Sequence, residues 1–215
     1  GEDDELPAGF FFRAPADFLP FERFALELAR GRVADLGAGT GVHALALQAR
    51  GFDVTAVEIL EPLVHLQRAR GVRRSVVADF RTWSGERFDT VLMLMNGFGP
   101  AETLAGLDRL LRHLHDLVAP GGILVADSGE AVPVGEVDPT DAARWPPTAD
   151  GYAGEAWIEL EYGGRRGAPF RELYVDLETL SARARGEGWA CDVAFEAEAG
   201  SYLAHLRSLD DGAPA

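Results

Sequence analysis

Short apolar runs alternate with helical stripes along the first 128 residues. Val33-Ala34-Asp35-Leu36 is a short run closed by glycines, and a helical stretch from Val42 to Arg50 follows it. Gly51 stands where a left-handed C-cap would stop that helix. Val54 to Glu58 reads as a second strand, followed by a helix from Glu61 to Arg70 that Gly71 stops in the same way. Ser75 to Ala78 is a third strand. Phe88 to Leu94 is a fourth, and its nearly continuous apolar character predicts burial on both faces. Leu104, Leu107, Leu111, Leu114 and Val118 fall on one stripe, predicting a helix from Ala101 to Val118. Pro120-Gly121-Gly122 then turns the chain into a fifth strand, Ile123 to Ala126. Strands separated by helices imply right-handed crossovers and a parallel sheet covered on both faces, an α/β doubly wound architecture.

The rhythm breaks after Asp127. Residues 128–154 carry four prolines, many acids and no period, which predicts a long loop or lid. Glu155 to Tyr162 and Phe170 to Leu177 read as two strands of a hairpin around Gly163-Gly164-Arg165-Arg166-Gly167. A short helix from Glu178 to Arg185 precedes two last strands, Trp189 to Phe195 and Ser201 to Leu206.

Charge narrows the function classes. The 215 residues carry a net charge of −15, with 35 acids against 20 bases, so nucleic acid is not an expected partner. No apolar run is long enough to cross a membrane, and no basic segment followed by an apolar run predicts a secretory leader. Every base is Arg. The absence of Lys excludes a P-loop lysine, a pyridoxal Schiff base and any lysine nucleophile. The single Cys191 excludes an internal disulfide and a Cys-rich zinc site, and predicts a reducing cytoplasm. No metal set is evident: His113 and His115 lie two apart on a helix and point in different directions, and Asp127 has no companion carboxylates.

The candidate chemistry sits at the ends of the first strands. Asp35-Leu36-Gly37-Ala38-Gly39-Thr40-Gly41 joins a strand to a helix through glycines, which let a ligand approach the backbone. Glu58 closes the second strand 23 residues after Asp35, where an acid can accept from both hydroxyls of a ribose. Asp79-Phe80 closes the third, offering an acceptor for an adenine amino group beside an aromatic face. Together they place an adenosine-shaped ligand along the carboxyl ends of strands one to three. A dinucleotide fingerprint needs Gly or Ala where Val42 stands.

At these positions the chain resembles the class I S-adenosylmethionine-dependent methyltransferases. The resemblance rests on Asp35 to Gly41, Val57-Glu58, Ala78-Asp79-Phe80, Phe88-Asp89-Thr90-Val91 and Leu117 to Gly122, and residues 178–206 are similar to that family's closing strand pair. More narrowly it looks like bacterial members sharing Leu94-Met95-Asn96-Gly97 and an N-terminal Phe-Phe-Arg. The resemblance implies a seven-stranded, mostly parallel sheet of order 3-2-1-4-5-7-6, with an inserted loop and hairpin. It implies one domain: a lid and helix over 1–30, a cofactor core over 31–128, a substrate-side insertion over 129–177 and a closing helix and strand pair over 178–209. It implies S-adenosylmethionine as cofactor, with Asp35, Gly37, Ala38, Gly39, Glu58, Ile59, Asp79, Phe80 and Met95 along it. His43 is expected to lie near, and Arg13, carried by Phe10-Phe11-Phe12, to pair with the methionine carboxylate.

Methyl transfer from a sulfonium is an in-line displacement, so the protein need supply only position and electrostatics. Asn96, the only Asn in the chain, follows the fourth strand and could orient the acceptor, although it cannot act as a base. The sequence Asn96-Gly97-Phe98-Gly99 departs from the Asn/Asp-Pro-Pro-aromatic motif, so nucleic-acid substrates are not implied and a small molecule is expected. Tyr152, Trp157, Phe170 and Tyr174 offer aromatic surface for its pocket. Aminocarboxypropyl transfer, a nicotinamide-dependent oxidoreductase and a non-catalytic cofactor-binding module remain open at this point.

Overall fold

A computed structural model describes residues 5–129, 151–196 and 200–212. Seven strands form one sheet: β1 (Arg32–Leu36), β2 (Asp53–Glu58), β3 (Ser75–Val77), β4 (Phe88–Met93), β5 (Val118–Ser128), β10 (Trp189–Glu196) and β11 (Tyr202–Ser208). Their order is β3-β2-β1-β4-β5-β11-β10. The first five run parallel, and β11 pairs antiparallel with both β5 and β10. Counted within the sheet, this is the expected order 3-2-1-4-5-7-6.

Helices α1 (Pro20–Leu28), α2 (Val42–Ala49), α3 (Glu61–Arg70), α4 (Leu104–Leu114) and α5 (Leu177–Gly186) complete the fold. Side chains alternate across each central strand, and both sets are apolar. Val33, Leu92, Leu94, Ile123 and Val125 join a core with α1 and α2. Ala34, Leu36, Val91, Met93, Leu124 and Ala126 join the other with α4 and α5. The continuous apolar runs arise because each face has its own helical cover. Leu107, Leu111 and Leu114 are fully buried, each contributing roughly 1.5 to 3 kcal/mol of transfer free energy. Trp189 is also fully buried; its indole N–H donates to Leu111 O at 2.9 Å and its ring stacks on His115, tying β10 to α4.

Both ends of α4 differ from expectation, and the strand expected over 170–177 stops at Leu173, Leu177 being the first residue of α5. The helix predicted from Ala101 begins at Leu104, because Gly99–Ala101 is a 3-10 turn and Thr103 caps α4, its hydroxyl accepting from Gly106 N–H. It also stops at Leu114. Val118, read as helical, is instead the first residue of β5, where it stands opposite Phe88. Phe88 N–H donates to Leu117 O, and the sheet claims the backbone from Val118, five residues before the predicted strand.

The inserted segment forms the expected hairpin as two short ladders. β6 (Glu155–Ile158) pairs with β9 (Phe170–Leu173), and β7 (Glu161–Tyr162) pairs with β8 (Arg165–Arg166). Gly163 and Gly164 both have positive φ, as the tight two-residue turn requires. Of the expected lid over 128–154, residues 130–150 lie outside the described residues.

Candidate functional site

The crevice starts where β1 ends. Gly37 and Ala38 both donate to Val57 O, which folds the glycine loop toward β2. Gly41 begins α2 with φ +81, and a Cβ there would meet Val72 Cγ2 at 2.9 Å, so the turn admits only glycine. A Cβ on Gly37 or Gly39 would meet nothing closer than 3.7 Å, which leaves the loop's surface open to a ligand. Glu58, buried at the end of β2, accepts from Gly39 N–H at 2.9 Å and Leu60 N–H at 3.0 Å. A carboxylate offers about four lone-pair positions, so two remain for a diol. Ile59 beside it is 55% exposed, an apolar surface at the rim. Asp35 is buried under the loop, and burial pushes its carboxyl pKa up against the pull of His43 and the Ala44 N–H. Its Oδ2 has no hydrogen-bond partner among the described residues.

Asp79 follows β3. Arg81 grips it with a two-pronged fork, Nε to Oδ1 at 3.0 Å and Nη2 to Oδ2 at 2.9 Å, and reaches on to Glu102 and to Pro100 O. The fork holds the Asp79 carboxyl below its usual range. A cavity of about 470 Å³ opens here, lined by Asp79, Arg81, Pro100, Glu102 and Arg109 among others. Phe80 is 8% exposed and belongs to the core beside α4, its edge 3.7 Å from where a Gly37 Cβ would sit.

The N-terminal segment crosses the glycine loop as two 3-10 turns, Ala8–Phe12 and Pro15–Asp17. Thr40 Oγ1 donates to Phe11 O, and the Arg70 guanidinium lies over the Phe12 ring while donating to Thr40 O. Arg13 is tied down. Its guanidinium pairs with buried Glu22, donates to Phe10 O at 2.6 Å and lies 3.5 Å from Met95 Sδ. Glu22 also takes His43 Nε2 at 2.6 Å and Leu19 N–H at 2.7 Å. Burial alone would raise the Glu22 pKa, but His43, the Leu19 N–H and Arg13 together hold it low. His43 therefore faces this ion-paired group rather than the open crevice.

After β4 the backbone turns through two left-handed residues, Met95 (φ 69) and Asn96 (φ 59). Asp127, near the end of β5, accepts from Asn96 N–H at 2.9 Å through Oδ2, and its buried Oδ1 has no partner among the described residues. Burial pushes the Asp127 pKa up to about 6. Asn96 Nδ2 donates to Glu172 Oε2 at 3.0 Å, bringing the inserted hairpin to the sheet's edge. Burial and the neighbouring Glu172 carboxylate push the Tyr174 phenol up to about 12.

The expected residues thus gather along the carboxyl ends of β1, β2, β3 and β4, where open α/β sheets bind ligands beside the β1/β4 switch point. Of the expected pocket aromatics, Tyr152 turns to the core and hydrogen-bonds Asp176, the N-cap of α5, and Trp157 lies under the Arg171 guanidinium. Glu22 and Glu172 were not singled out from sequence. Leu19-x-x-Glu22 before an apolar stripe was the available signal for the first, half of a capping box. For the second it was strand alternation, since Leu173 and Val175 are core and Glu172 and Tyr174 face the other way.

A family model described as a methyltransferase domain matches residues 9–150. The chain belongs to this methyltransferase family. Across 95% of the chain and 83% of the other, it is 34% identical to the S-adenosylmethionine-dependent methyltransferase of Bacteroides fragilis, solved in complex with S-adenosyl-L-homocysteine, with a TM-score of 0.81. It is 30% identical over 104 residues to glycine/sarcosine N-methyltransferase of Aphanothece halophytica, covering 45% of this chain and 39% of that protein. It is 33% identical over 110 residues to ubiquinone biosynthesis O-methyltransferase of Xanthomonas oryzae pv. oryzae strain PXO99A, covering 46% and 43%. The methyltransferase-family chain spans less than half the length of these two curated relatives.

Proposed function

We propose that the chain transfers a methyl group from S-adenosylmethionine to a small-molecule acceptor. The observation that carries this is the open glycine loop with Glu58 beneath it, in a chain 34% identical to a protein that binds S-adenosylhomocysteine. The open backbone at Gly37 to Gly39 and the spare lone pairs of Glu58 fit the ribose. Asp79 and the Ile59 and Phe80 side chains fit the adenine, with Ala38 on the loop between. Met95 fits the methionine end, and Arg13 beside it, already engaged by Glu22, orders that edge instead of meeting the methionine carboxylate itself. Asp35, buried below, braces the loop, and His43 acts indirectly by holding Glu22 and through it Arg13.

When bound, the cofactor supplies a sulfonium methyl as the electrophile. The chain aligns the acceptor at Asn96, excludes water with the N-terminal strap and keeps its carboxylates fixed by backbone donors. No helix of the described residues is long and apolar enough to cross a membrane. The free Cys191 fits our reading of a bacterial cytoplasmic protein. Calorimetry with S-adenosylhomocysteine tests the reading: saturable heat is expected, and none at millimolar ligand on folded protein refutes it. NAD in its place would revive an oxidoreductase.

A further inference from the structure

Glu172 has three properties that together define what it can meet. It belongs to the hairpin inserted after β5, outside the sheet that carries the cofactor site. It is half-buried, and among the described residues no cation pairs with it. Its carboxylate accepts from Asn96 Nδ2 at 3.0 Å, with the Tyr174 phenol close beside it. The approach is tight: a Cβ on Gly99 would strike Asn96 Nδ2 at 2.6 Å and come within 3.4 Å of Glu172 Cδ, so the loop after β4 leaves space for this contact. A carboxylate has about four lone-pair positions, and Asn96 occupies one of them.

The anchoring residue fixes the location. Asn96 follows β4 at the switch point, one residue from Met95 and its Arg13 neighbour. A second acidic oxygen, Asp127 Oδ1, lies behind the same turn, buried and without a partner among the described residues. The Arg13 guanidinium on the cofactor side is already neutralised by Glu22, whereas the acceptor side carries unneutralised carboxylate. A carboxylate or phenolate acceptor would face like charge there, which disfavours it, whereas a cation gains a charge-assisted hydrogen bond.

We infer that the methyl acceptor is an amine that arrives as an ammonium ion, and that Glu172, oriented by Asn96, receives it. This rests on the methyl-transfer reading above. The ammonium gives one proton to the Glu172 carboxylate, which returns it to solvent. The freed nitrogen lone pair forms the N–CH₃ bond as the S–CH₃ bond breaks, and that electron pair returns to sulfur as a neutral thioether. Tyr174 beside it remains a phenol throughout, because its pKa is pushed up to about 12, and so is not the base.

The test uses the full chain saturated with S-adenosylhomocysteine and matched probes: benzylamine and N-methylbenzylamine against phenol, benzyl alcohol and benzoate. Calorimetry is expected to give at least tenfold tighter binding for the amines than for their neutral and anionic isosteres. E172Q, which keeps an acceptor for Asn96, should erase that preference and leave S-adenosylhomocysteine affinity unchanged, while E172D should restore part of it. With S-adenosylmethionine, methyl transfer to the amines should fall in E172Q through KM as well as kcat. Preference for phenol or benzoate, equal binding of all classes, or an amine preference intact in E172Q overturns the inference. Failure of wild type to bind S-adenosylhomocysteine refutes the underlying reading instead, so the two failures are distinguishable.

Discussion

Asp127→Asn should make the protein more stable above neutral pH and only slightly so near pH 4. Burial raises the Asp127 pKa from the ordinary 3.8 to about 6. The folded state therefore binds this proton more tightly than the unfolded chain, and stability falls as pH rises from about 4 through about 6. Above that window the ionised, buried carboxylate carries a constant penalty. Two units at 1.36 kcal/mol each make it about 3 kcal/mol. An amide of the same shape removes the ionisation and still accepts from Asn96 N–H, the 2.9 Å bond that Oδ2 now makes. The variant's advantage should grow by about 2 kcal/mol between pH 4 and pH 8, equivalent to roughly 4 to 8 °C in Tm for a chain of this size. Urea titrations of both proteins across that range measure it directly. A stability difference that stays flat with pH, or a variant weaker than wild type at pH 8, would show that the buried Oδ1 is not the cause.

Three further outcomes follow from the site. Glu58→Ala should weaken S-adenosylhomocysteine binding by about 1.5 to 3 kcal/mol, the usual value for hydrogen bonds to a charged acceptor; calorimetry at an unchanged fold would contradict the ribose assignment if affinity held. Removing residues 1–18 should leave the sheet folded and slow turnover, and in the intact chain hydrogen exchange over 5–18 should fall when S-adenosylhomocysteine binds; a truncated protein with full turnover removes Arg13 from the site. Gly41→Ala should cost about 1 to 3 kcal/mol of stability, since φ +81 and the 2.9 Å approach to Val72 both oppose a Cβ; an unchanged urea midpoint would refute it.

The parallel half of the sheet was legible because its punctuation is local. Gly51 and Gly71 end their helices with φ +91 and +101, and the apolar runs mark strands that are buried on both faces. The start of β5 was not legible. Leu114, Leu117 and Val118 are all apolar, and only a partner distant in sequence, Phe88, decides that the last belongs to a strand. Glu58 and Asp79 could be placed from their strand ends, whereas the contacts that hold them, from Gly39, Leu60 and Arg81, depend on loop paths. Arg13 was expected to be free for a carboxylate ligand. It pairs with Glu22, an acid whose burial depends on how α1 packs against α2. Glu172 comes from 76 residues away to meet Asn96, and no spacing within the chain announces such a pairing.

The placement of β11 has a consequence for how the molecule is made. It is the last strand of the described residues, yet it sits between β5 and β10, hydrogen-bonded to both. As the chain leaves the ribosome, β1 to β5 can assemble early, but the flank of β5 from Leu124 to Ser128 stays open until residues 202–208 emerge. That flank is an apolar edge with free backbone donors and acceptors, the kind that pairs with other chains. β10 cannot shield it, because its own place lies one strand further out. The nascent protein should thus need protection for the time taken to synthesise about 75 residues, several seconds at ordinary translation rates. A ribosome pausing between β10 and β11 would be the most damaging place to stall.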